Sequence, residues 1–136
     1  MIIAKGSSWD GASDGTDDVY ADVCPNPNNV TVIAVTGSTS TAITQKTGQV
    51  LLTGGTAATA LTLEAPISGT DDYKKLSISA THAVAHVITN ASVGFNAKGS
   101  SGTITFPTTS VNPGSVVLLA YLGNWYVVEN TGCTVA

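Results

Sequence analysis

The sequence predicts an all-β domain: an antiparallel β-sandwich or jelly-roll-like stack of about eight or nine short strands behind an irregular N-terminal arm. Three observations carry this expectation. Small and β-branched residues dominate, with 20 threonines, 15 valines, 16 alanines and 14 glycines in 136 residues. Apolar residues alternate with period two in short runs, and none shows the sustained 3.6-residue stripe of an amphipathic helix. Glycine, proline and asparagine separate the runs at turn spacing. A chain of this length has room for one core, expected at 30–136, with 1–29 as the arm.

The arm differs in composition from the rest. Residues 6–18 read GSSWDGASDGTDD, in which Trp9 is the only large apolar group and Asp10, Asp14, Asp17 and Asp18 form the densest acidic patch. Pro25-Asn26-Pro27-Asn28-Asn29 then breaks the chain, because proline lacks a donor and asparagine favours turns. A short strand fits at Val19–Val23.

From Val30 onward, strands are expected at Val30–Val35, Thr41–Gln45, Val50–Thr53, Ala60–Glu64, Leu76–Ala80, Ala85–Thr89, Thr103–Phe106, Val116–Leu122 and Trp125–Glu129. In the fourth, Leu61 and Leu63 point one way and Thr62 and Glu64 the other. In the fifth, Leu76, Ile78 and Ala80 oppose Lys75, Ser77 and Ser79. Strands rarely exceed about ten residues, so a break is expected near Thr81–Val84. Asn112-Pro113-Gly114-Ser115 suits a type II turn. Leu122-Gly123-Asn124-Trp125 suits a hairpin with Gly123 first in a type II′ turn, pairing VVLLAY with WYVVEN. No clean repeat of 20–50 residues is visible, which argues against a solenoid or propeller. The stretch 36–62 holds nine threonines and one charge, Lys46; such strands suit flat packing against a neighbour, including a second copy of the chain.

Charge narrows the function classes. Only 10% of residues are charged, the five basic residues are all lysines, and the net charge is −4. Nucleic acid is disfavoured as a partner, because phosphate neutralisation needs a basic surface. The mean hydropathy is +0.24. Yet the longest apolar run, Val116–Leu122, falls far short of the roughly 20 residues of a membrane-spanning helix, so no membrane partner is expected. The N-terminus Met1–Gly6 carries no visible secretory signal, so synthesis in a cytoplasm is expected.

No residue pattern points to catalysis. His82 and His86 on one strand would stand about 13 Å apart, too far to share a metal ion. The aspartates at 10, 14, 17 and 18 fit no calcium-loop spacing, and Gly69-Thr70-Asp71-Asp72 reads as a surface turn. No nucleophile elbow or phosphate loop occurs. Neither an enzyme nor a cofactor is expected. Cys24 and Cys133 read as reduced thiols in a cytosol; paired, they would close a loop worth about 4–5 kcal/mol in the chain-entropy model.

One ordered series of segments goes further. It runs Leu61-Thr62-Leu63-Glu64-Ala65-Pro66, Gly69-Thr70-Asp71-Asp72, Lys75-Leu76-Ser77-Ile78, Ala85-His86-Val87-Ile88-Thr89 and Gly94-Phe95-Asn96. It ends with Gly102-Thr103-Ile104-Thr105-Phe106 and Leu119–Val128. The series resembles small structural proteins of tailed bacteriophages, of the capsid decoration (cement) or head-fibre type. The resemblance implies an all-β homotrimer that clamps the major capsid protein on the outer surface of the assembled head, hence a virion location after synthesis in a bacterial cytoplasm. It supplies no catalytic residues.

On this reading Trp9, Asp10, Asp14, Asp17, Asp18 and Tyr20 are the expected capsid contacts, and His86 and Phe95 the expected subunit-packing residues. The alternative is a tail-fibre, spike or head-fibre component that binds a host receptor or glycan. Trp125 and Tyr126 could then stack on sugar rings, although the hairpin pattern places them better in a core.

Overall fold

The structure is a computed structural model that describes residues 30–34, 41–53, 57–109 and 111–136. The arm 1–29, with Trp9, Asp10, Asp14, Asp17, Asp18, Tyr20 and Cys24, lies outside the described residues.

Among the described residues the chain is all β, with ten strands. They are β1 (Val30–Ala34), β2 (Thr41–Ile43), β3 (Gly48–Thr53), β4 (Ala60–Leu63), β5 (Lys75–Ala80), β6 (Val87–Asn90), β7 (Gly102–Thr105), β8 (Ser115–Tyr121), β9 (Asn124–Thr131) and β10 (Thr134–Val135). The first nine fall where the period-two runs place them. The tenth, two residues long, is too short to carry a pattern. The break expected in 75–90 is real, and it sends the halves into different sheets: β5 joins one and β6 the other.

The topology corrects the antiparallel, jelly-roll-like expectation. One sheet has the order β1-β3-β5-β8-β9 and the other β10-β7-β6-β4-β2. Within them, β1-β3-β5 and β2-β4-β6 pair in parallel, and only the later strands pair antiparallel. The chain thus winds from one sheet to the other and back, laying one strand of each per rung. Parallel neighbours need crossover connections, and here each crossover passes through the opposite sheet.

The winding leaves no regular period in the sequence. The connectors from first to second sheet are all six residues long (35–40, 54–59, 81–86), whereas the return connectors are four (44–47) and then eleven (64–74). Successive rungs are therefore offset by 19 and then 28 residues in the first sheet, from Val30↔Gln49 to Gly48↔Leu76. An unequal offset erases the sequence period while leaving the coil intact.

Alternation explains why each strand adopts its register. In β3, β5 and β8 every second residue is buried: Val50 and Leu52, Leu76 and Ile78, Val116 and Leu118. From the second sheet Ile43, Leu61, Leu63, Ile88 and Ile104 join the same cluster, so both sheets share one core. A one-residue slip of any of these strands would turn its apolar set to water. Successive rungs are also tied by side chains. Thr59 and His86 end successive six-residue connectors, and the Thr59 N–H donates to His86 Nδ1 at 3.2 Å.

His86 and Phe95, the expected subunit-packing residues, are both buried within this chain. Leu118, fully enclosed between the sheets, tests the shared core. Leu118→Ala should lower unfolding free energy by about 2–5 kcal/mol in urea titrations, with an unchanged m-value. A loss below about 1 kcal/mol would mean the two sheets do not pack on one another there.

Candidate functional site

The eleven-residue return connector, longer than the four-residue turn before it, builds a distinctive surface among the described residues. It is pinned to the β8–β9 hairpin by main-chain and side-chain bonds. The Tyr73 N–H donates to the Ala120 carbonyl at 2.7 Å, and the Ala120 N–H to the Lys74 carbonyl at 2.9 Å. Asp72 Oδ1 accepts the Leu122 N–H at 2.7 Å while its Oδ2 accepts the Gly69 N–H at 3.1 Å. Beneath, Trp125 is buried and its indole N–H donates to the Glu64 carbonyl at 2.9 Å. Trp125 is thus a core residue, and it cannot stack on a ligand.

The connector's own turn is held by Asp71. Its Oδ2 accepts the Ile67 N–H at 2.8 Å, and its Oδ1 pairs with the Lys74 ammonium at 2.8 Å. The Lys74 hydrogen bond, followed by that of Ile67, holds the Asp71 carboxyl below the usual carboxylate range. Asp71 and Asp72 were expected to form a surface turn. The turn forms with Gly69 and Thr70 exposed, but Asp71 is buried, and each aspartate caps a different backbone segment.

The hairpin departs from its expected geometry. Tyr121 pairs with Asn124, so the loop residues are Leu122 and Gly123. Both have positive φ, +48° and +77°, as a type I′ turn requires, in place of the type II′ turn expected with Gly123 in first position. Tyr73, in the facing connector, also has positive φ, +70°. The result is a shelf of Tyr73, Tyr121 and Tyr126, with Ile67 and Leu122 exposed at its side. Of these, the sequence singled out only Tyr126; the others gave no signal because their proximity depends on a contact between residues 72 and 122.

The remaining expected residues are dispersed. His82 is exposed, its Nδ1 2.8 Å from Thr81 Oγ1, whereas His86 is enclosed. No group of three or more His, Cys, Asp or Glu side chains able to hold a metal ion occurs among the described residues. Cys133 is a buried thiol, its pKa pushed up to about 11 by desolvation, so it stays protonated at neutral pH. Its pairing with Cys24 lies outside the described residues. A shallow depression of about 380 Å³ lies over β2, β4 and β6, lined by Ala42, Thr44, Thr62 and Glu64 among others, without a nucleophile–base pair. No helix among the described residues is long and apolar enough to cross a membrane. The chain matches no protein-family model and no curated protein.

Two measurements test this geometry. Left-handed backbone costs a branched side chain about 1–2 kcal/mol and costs asparagine less. Leu122→Asn should therefore raise stability by about 0.5–1 kcal/mol in denaturant; a fall would mean the turn is not type I′. For Asp71 the folded pKa lies below the unfolded one. Its contribution is therefore present above the unfolded value near 4 and disappears as pH falls through the folded value. Asp71→Asn should be less stable than wild type at pH 7, and the difference should close on acidification below about pH 4. A gap that persists at pH 2 would assign the effect to packing.

Proposed function

We propose that the protein is a non-catalytic structural component of a tailed-phage virion, a decoration protein that docks as a homotrimer on the outer surface of the assembled head. The observation that carries this reading is the near absence of charge on the faces the sheets turn outward. Gln49, Leu51 and Thr53 on β3, Ser77 and Ser79 on β5, and Ser115, Val117 and Leu119 on β8 leave Lys75 as the one charged outward residue of those strands. The opposite sheet turns outward Thr62, Val87, Thr89, Thr103 and Thr105. A solvated antiparallel face ordinarily carries charges that oppose association.

Edge strand β1 extends the same surface with exposed Val30 and Val32, immediately after the arm. Among the described residues no strand covers that edge, and an apolar edge is a pairing site that monomers normally blunt. The fold reading that accompanies this function is a sandwich-like stack of rungs, with its weakly charged faces covered by copies of the chain and by the major capsid protein. The arm, with Trp9, Asp10, Asp14, Asp17, Asp18 and Tyr20, supplies the capsid contacts. The ordered phage-like segments support the assignment.

Light scattering of the purified chain should give three times its 13.7 kDa mass. Mixed with capsids lacking it, the protein should pellet with them at micromolar concentration, and Trp9→Ala should weaken that co-sedimentation. A monomer in solution, or no pelleting, overturns the reading.

A further inference from the structure

Two bulky side chains on the shelf stand in backbone geometry that folding alone would reject. Tyr73, at φ +70°, is 73% exposed, and Leu122, at φ +48°, is 56% exposed. Left-handed backbone is strained for a residue with a large side chain, and leaving that side chain in water returns little to offset the strain. Glycine or asparagine would serve either position better. Local conflicts of this kind gather where a side chain is held for contact with something else.

The two residues belong to one surface. The carboxylate of Asp72, next to Tyr73, accepts the Leu122 N–H. The Tyr73 and Tyr121 rings lie 5.6 Å apart at 45°, and those of Tyr121 and Tyr126 lie 6.5 Å apart at 54°. The three rings therefore form a tilted row, and none of their hydroxyls bonds to a described residue.

The charges beside the row are already engaged. Lys74 is paired with Asp71, and both oxygens of Asp72 accept backbone N–H groups. A shelf of phenol faces and open hydroxyls, whose Lys74 ammonium is paired with Asp71 and whose Asp72 carboxylate is held by backbone N–H groups, suits an uncharged, amphipathic ligand. In a chain of net charge −4 without arginine it does not suit a polyanion. A pyranose has that character, an apolar C–H face surrounded by hydroxyls. Its face would lie on the phenol rings, and its hydroxyls would meet the Tyr hydroxyls and the lone pairs left on Asp72.

We propose that Tyr73, Tyr121 and Tyr126 form a binding shelf for a neutral polysaccharide, with Leu122 closing one side. Tyr121 and Tyr126 continue the outward face of β8, where Leu119 pairs with Tyr126, whereas Tyr73 stands on the connector beyond that face, so a variant at Tyr73 separates ligand binding from assembly. Native electrophoresis of the full chain through gels containing dextran, galactomannan or xylan tests it, with dextran sulfate as the polyanionic control. At least one neutral polysaccharide should retard wild type, and dextran sulfate should not. Tyr73→Asn and Tyr121→Ala should weaken that retardation at least tenfold. Tyr73→Asn should melt no lower than wild type, since asparagine relieves the left-handed strain, and should keep the oligomeric mass and capsid co-sedimentation. Retardation by no neutral polysaccharide, or by dextran sulfate alone, overturns the proposal, as does wild-type retardation of Tyr73→Asn. A change of oligomeric mass in Tyr73→Asn also overturns it, because the shelf would then be a contact between copies.

Discussion

Trp125 ties together parts of the chain that are distant in sequence. Its indole fills the space between the sheets and donates to the Glu64 carbonyl, fixing the start of the long connector. Its carbonyl accepts the Asn96 N–H at 2.7 Å, and Asn96 Oδ1 in turn accepts the Val127 N–H at 2.9 Å, holding the loop after β6 against β9. Its main chain pairs with Ala120 in β8. A buried indole contributes apolar area and a donor at once, and the donor must find a partner. Here the partner lies 61 residues away, at the root of the connector that carries Tyr73.

The rest of the architecture follows from a chain with no helix among its described residues, which must cover both sides of a core with strands alone. Alternating each strand between two sheets gives every rung one inward face on each side. The core then grows by stacking, much as in repeat proteins. The antiparallel strands β7 to β10 finish the stack, with β9 and β10 at the far edge from β1 and β2. Position-equivalent residues such as Thr59 and His86 can then bond between rungs, which gives the buried imidazole a structural partner.

Strand positions were legible because burial of one face imposes period two on residues such as Leu76, Ile78 and Ala80. Strand partners were not legible. Val50 reads the same whether its neighbour runs parallel or antiparallel, and the crossover that decides this is a property of the whole chain. The turn at 122–123 was misplaced by one residue because glycine was the natural candidate for the first left-handed position, whereas leucine occupies it. The burial of Trp125 was anticipated from the hairpin pattern. The shelf was not, because the hydrogen bond from Leu122 to Asp72 spans 50 residues, and neither residue type announces it.

The uneven return connectors bear on how such a protein can change over generations. A four-residue turn suffices to carry the chain from β2 to β3, so the eleven residues between β4 and β5 exceed what the winding needs. Loop-closure entropy rises only slowly with loop length, and an extended turn is therefore thermodynamically inexpensive. The segment between Glu64 and Lys75 behaves as a cassette inserted into a regular frame. Selection can rewrite its outward residues while the inward alternation that specifies the frame stays fixed. Of the three shelf tyrosines only Tyr73 lies on this segment, so it can change without disturbing a strand, whereas Tyr121 and Tyr126 are held in place by the frame itself.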